Sequence, residues 1–78
     1  MMDELMELLS DVREDVDFEK EEALVDDGIL NSFDILQIIS AIGETFDLSV
    51  PASEIVPGNF NSAKAMQRMI ERLQEEIA

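Results

Sequence analysis

Asp26-Asp27-Gly28-Ile29-Leu30-Asn31-Ser32-Phe33-Asp34 is the stretch on which the reading of this chain turns. Asp27-Gly28 is a turn signal. Asn31 is a good helix N-cap, because its side-chain oxygen can accept from a free backbone N–H of the first turn. Ser32 then takes the first helical position, where its hydroxyl points away from the helix. Helix N-termini favour negative charge, since unpaired N–H groups and the macrodipole converge there. A phosphodiester on Ser32 would lie in that field, with Phe33 and Leu36 as an apolar strip beside it. Spacing alone still favours a plainer reading, in which Ser32 is an ordinary capping or first-turn serine.

On the C-terminal side, the pattern predicts a helix from Ser32 to Phe46. Ile35, Ile38, Ile39, Ile42 and Phe46 recur at spacings of three and four and form a buried stripe. Phe33, Leu36 and Ser40 fall on a different face. An apolar pair there either packs on a neighbouring element, the commoner case, or waits for a partner. Gly43 stands inside this helix at a cost of about 1 kcal/mol against alanine, so it either permits a close approach or is simply tolerated.

On the N-terminal side, residues 15–31 form a long acidic loop. Phe18, Leu24, Val25, Ile29 and Leu30 would pin it to the core. A first helix is expected from Asp3, its N-cap, to Glu14, with Met2, Leu5, Leu9 and Val12 on one stripe and Leu8 beside it. Beyond Val50-Pro51, which stops the second helix, Ser53-Glu54-Ile55-Val56 reads as one short helical turn ended by Pro57-Gly58. A last helix runs from Ser62 to Ile77, capped by Asn61 or Ser62. Met66, Met69, Ile70, Leu73 and Ile77 form its stripe. No strand pattern and no repeat is present. The expected fold is all-α: a single domain over residues 1–78, with three main helices, one short helix, and a long loop between the first two helices.

Composition narrows the function. The chain has 78 residues, 46% of them apolar, and no cysteine, histidine, tryptophan or tyrosine. The commonest general base and the commonest metal ligand are missing, so catalysis and metal binding are not expected. Nineteen acidic residues against five basic ones give a net charge of −14. Residues 21–63 contain no base at all. Such a chain is a poor partner for nucleic acid or an anionic membrane. The acidity solubilises, and it would also steer a basic partner. With no basic, apolar leader and no membrane-length apolar run, a cytoplasmic monomer is the expectation.

Gly28-Ile29-Leu30-Asn31-Ser32-Phe33 resembles the modification motif of acyl carrier proteins, in which a serine precedes a large apolar residue. Phe46-Asp47-Leu48-Ser49-Val50-Pro51 resembles that family's second-helix end and following turn. The nearest likeness is to D-alanyl carriers. The shared spacing runs from Leu24 through Gly28, Ser32 and Pro51 to Phe60, and then to a capping residue near Ser62. The resemblance implies that Ser32 is the attachment point of 4′-phosphopantetheine, installed by a phosphopantetheinyl transferase, and that acyl or aminoacyl groups ride on it as thioesters. Asn31, Phe33, Leu36, Gln37 and Glu44 would then face partners: the transferase, and an adenylating ligase or acyltransferase with a basic docking surface. Ile35, Ile39, Ile42 and Phe46 would line the core. The family usually has aspartate where this chain has Asn31, which caps equally well but lacks the charge.

Three other readings are open to an acidic helical chain. An EF-hand needs an acid five residues before its glycine, and Ala23, Ile38 and Ser53 occupy those positions. An acidic helical interaction module, never modified, is the main alternative to a carrier. An enzyme built on Asp26 and Asp27 is the weakest reading, because adjacent exposed carboxylates usually mark a solvated turn.

Overall fold

The computed structural model describes residues 2–77. Its elements are α1 (Met2–Val12), α2 (Ser32–Phe46), a 3-10 turn (Ala52–Glu54), α3 (Pro57–Phe60) and α4 (Ala63–Ile77). Among the described residues there is no strand, and no helix is long and apolar enough to cross a membrane.

The stripes read from the sequence meet in one core. Leu5, Leu9, Leu24, Ile38, Ile42, Phe60, Met66, Met69 and Ile70 are fully buried. Burying a side chain of this size stabilises the fold by roughly 1.5–3 kcal/mol. Ile35, Ile39 and Phe46 are half-buried and pack against that core. The long loop is pinned as expected, with Phe18, Leu24 and Leu30 buried and Val25 and Ile29 packed beside them. Gly28 closes its last turn at φ 73°, a left-handed conformation that glycine adopts without strain.

Four expectations are corrected. α1 begins at Met2, so Asp3 lies in the first turn instead of capping it, where its carboxylate still meets the positive end of the helix. The helix stops at Val12, two residues before Glu14, and the Arg13 side chain just beyond it is taken up by four acceptor atoms on Asp15, Ile29 and Asp34. Between α2 and α4 the short turn is at Ala52–Glu54, and Pro57 starts a helix instead of ending one. Proline suits the first helical position, since its missing N–H would be unpaired there anyway. Finally, Ile77 is 66% exposed, because the core ends one turn earlier at Leu73.

The glycine inside α2 has a packing reason. A methyl group at Gly43 would meet the Leu48 carbonyl oxygen at 3.0 Å. The chain doubles back there through Asp47 at φ 53°, whose N–H bonds the Gly43 carbonyl, and Leu48 donates to the same oxygen at 3.3 Å.

Candidate functional site

The site is the start of α2 and the loop that delivers it. Asn31 is the N-cap, and its Oδ1 accepts from the Asp34 N–H at 2.9 Å. Asp34 answers, its Oδ2 accepting from the Asn31 N–H at 3.1 Å. This reciprocal capping box fixes the first turn on both sides of Ser32. Ser32 is exposed at the first helical position. Among the described residues, the amides of Ser32 and Phe33 take no acceptor, so two N–H groups point from the helix tip beside the hydroxyl.

The other residues singled out by the sequence share a neighbourhood. Phe33 and Leu36 are 65% and 61% exposed, so they do not pack on another element, which was the commoner expectation for such a pair. Gln37, Ser40 and Glu44 continue the same exposed face at helical spacing. Gln37, Ser40 and Glu44 also line an open groove of about 350 Å³ shared with Leu8 and Asp11 of α1. The larger cleft, about 620 Å³, lies between Met2, Met6, Phe18, Ser62 and Arg68 and contains none of these residues.

Sequence reasoning missed three supports. Arg13 Nη1 donates to Asp34 Oδ2 at 2.7 Å and to the Ile29 carbonyl at 3.1 Å. Its Nε and Nη2 hold Asp15, both at 2.9 Å. These bonds, first to Asp15 and then to Asp34, raise the guanidinium pKa above its already high value, and hydrogen bonding to Arg13 lowers the Asp15 carboxyl to about 2. Asp34 itself carried a signal, since an acid three residues after a capping asparagine is capping-box spacing. Arg13 carried only its rarity, as one of two bases before Lys64.

Asn61 is the second support. Its Oδ1 accepts from the Val25 and Asp26 amides at 2.9 and 3.1 Å, and its Nδ2 donates to Asp26 Oδ2 at 3.0 Å. Its carbonyl accepts from the Leu24 amide at 2.9 Å. Asn61 therefore staples the loop, and Ser62 is left to cap α4, its Oγ accepting from Ala65 N–H at 3.0 Å. The third support is Glu54, whose carboxyl is held below its usual range chiefly by the Arg72 hydrogen bond at 2.9 Å. It fixes the segment that exposes Ile55 and Val56.

The start of α2 thus brings together an exposed serine, two amides without an acceptor among the described residues, an exposed apolar pair within one turn and a surrounding field of acids. No family model matches the chain. Aminoacyl carrier protein 2 of Bradyrhizobium diazoefficiens is 44% identical over 54 residues, covering 69% of this chain and 60% of that relative. The D-alanyl carrier protein of Lactobacillus delbrueckii subsp. bulgaricus is 30% identical over 63 residues, covering 81% of this chain and 79% of the relative. Aminoacyl carrier protein 1 of Bradyrhizobium diazoefficiens is 40% identical over 47 residues, which is 60% of this chain and 51% of that protein.

Its relatives are carrier proteins, and the molecule is a helical carrier of that class. It belongs to the acyl carrier protein family, close to the D-alanyl and aminoacyl carriers.

Proposed function

We propose that Ser32 carries a 4′-phosphopantetheine arm on which aminoacyl or acyl groups are held as thioesters and passed between enzymes. The observation that carries the proposal is the Ser32 hydroxyl, exposed at the first position of a capped helix in a chain of this family. The residues present fit the group. A phosphodiester on Ser32 would meet the unpaired amides of Ser32 and Phe33 and the positive end of the α2 dipole. When attached, the arm supplies a thiol, which this cysteine-free chain otherwise lacks.

The chain's own residues do the rest. Asn31 and Asp34 hold the helix start so that the hydroxyl faces solvent. Phe33 and Leu36 offer apolar area to a docking enzyme, and Gln37 and Glu44 extend the polar side of the same face. With no base between residues 21 and 63, that face steers a basic surface toward it. Tethering raises the cargo's effective concentration at each partner. The names of the relatives favour an amino acid as cargo, and an adenylating ligase would then be the loading partner.

Intact mass tests the proposal. Co-expression with a broad phosphopantetheinyl transferase should add one phosphopantetheine, and Ser32→Ala should abolish the gain. A wild-type chain that gains no mass would leave it an unmodified acidic interaction module.

A further inference from the structure

The place of Ser32 is set from outside α2. Arg13, one residue past α1, donates through one nitrogen to two acceptors that flank the serine: the Ile29 carbonyl oxygen before it and the Asp34 carboxylate after it, at 3.1 and 2.7 Å. The same Asp34 Oδ2 accepts from the Asn31 amide. Asp15 occupies the remaining edge of the guanidinium at 2.9 Å through Nε and Nη2, a forked pairing that fixes its plane. Asp34 is 5% exposed and is the one buried charged side chain among the described residues. A buried carboxylate is tolerated when a well-placed cation answers it, and its loss leaves an uncompensated charge.

We infer that Arg13 is a positioning residue for Ser32, an inference that rests on the carrier reading above. The capping box orders the first turn of α2 with respect to its own backbone. Arg13 orders that turn with respect to α1 and to the loop, so the hydroxyl is presented in one place and direction. Removing the guanidinium leaves the box its own two partners but frees it to open more often and to shift against Ile29. Each encounter with the transferase then carries the cost of fixing the serine again.

The test uses the full chain, with coenzyme A and a broad phosphopantetheinyl transferase, at a temperature where circular dichroism shows every variant folded. Two quantities are read: kcat/KM for mass gain at Ser32, and hydrogen exchange at single amides. Arg13→Gln should lower kcat/KM about tenfold, the scale of one charge-assisted hydrogen bond. Protection of the Asn31 and Asp34 amides should fall to a similar degree, while the Met66 amide, bonded to the Ser62 carbonyl at 3.1 Å, keeps its protection. Arg13→Lys, whose single ammonium keeps a positive charge for these acceptors but lacks the fork that pairs with Asp15, should recover part of the rate.

Modification of Arg13→Gln at the wild-type rate would overturn the inference. So would equal loss of protection at Met66, which would make Arg13 a general stabiliser. If Arg13→Gln does not fold, Asp34→Asn and Arg13→Lys decide by the same two readings. If the wild-type chain is not modified at all, the carrier reading falls, and the contrast between helix-start and Met66 amides alone decides whether Arg13 holds the helix start.

Discussion

Asn61 gives its whole side chain to the loop that leads to Ser32: two amides accepted, one carboxylate met. Asn61→Ala strands the Val25 and Asp26 amides and should cost about 2 kcal/mol, read as a fall in Tm of roughly 8–16 °C in a domain of this size. Leu36, by contrast, stands in solvent. Leu36→Ser should change stability by less than about 0.5 kcal/mol while raising the KM of a loading enzyme, and an unchanged KM would remove it from the docking face. Gly43→Ala sets the ~1 kcal/mol helix-propensity gain of alanine against a methyl pressed on a backbone oxygen at 3.0 Å. The oxygen belongs to a tight reversal that cannot retreat cheaply, so thermal melting should show a net loss. Asn31 and Ser32 were legible because capping is a local transaction within a few residues. Arg13 was not, since its partner Asp34 lies 21 positions away and only the folded chain brings them together.

Among the elements, α2 was legible in its bounds, its cap and its apolar period, which sit in contiguous sequence; its stop is the left-handed turn at Asp47, three residues before the Val50-Pro51 expected to end it. The segment from Pro51 to Phe60 was not, because Pro57-Gly58 serves equally as a stop and as a first helical turn, and the choice depends on Phe60 finding the core. Two ion pairs, Arg13–Asp15 in the loop after α1 and Arg72–Glu54 between α4 and the 3-10 turn, predict a pH dependence. Hydrogen bonding to Arg13 depresses the Asp15 carboxyl from 3.8 to about 2, and Arg72 lowers that of Glu54. A carboxyl depressed in the folded state contributes stability that is complete above its unfolded value and is lost as pH falls through the folded one. The Tm difference between wild type and Asp15→Asn should therefore be present at pH 6 and shrink as pH falls from about 4 toward 2. Asp15 is largely solvent-exposed, so the difference is small even at its maximum. A difference that grew on acidification would contradict the assignment.

For the whole molecule, a net charge of −14 on 78 residues works against compaction. Raising salt from about 10 to 200 mM shortens the screening length from roughly 30 Å to below 10 Å. The chain extends 34 × 24 × 19 Å, so repulsion that spans the molecule in dilute buffer becomes local. Tm should rise over that interval, and a flat profile would mean that the acids are too well dispersed to matter. One long-range tie has a consequence for synthesis. The amides of residues 24–26 find their acceptors on Asn61, which leaves the ribosome 35 or more positions later. A nascent chain that has emerged only through Ser32 bears the serine but not the frame that steadies its approach. An enzyme that recognises that frame would therefore act on finished molecules and pass over those still being made.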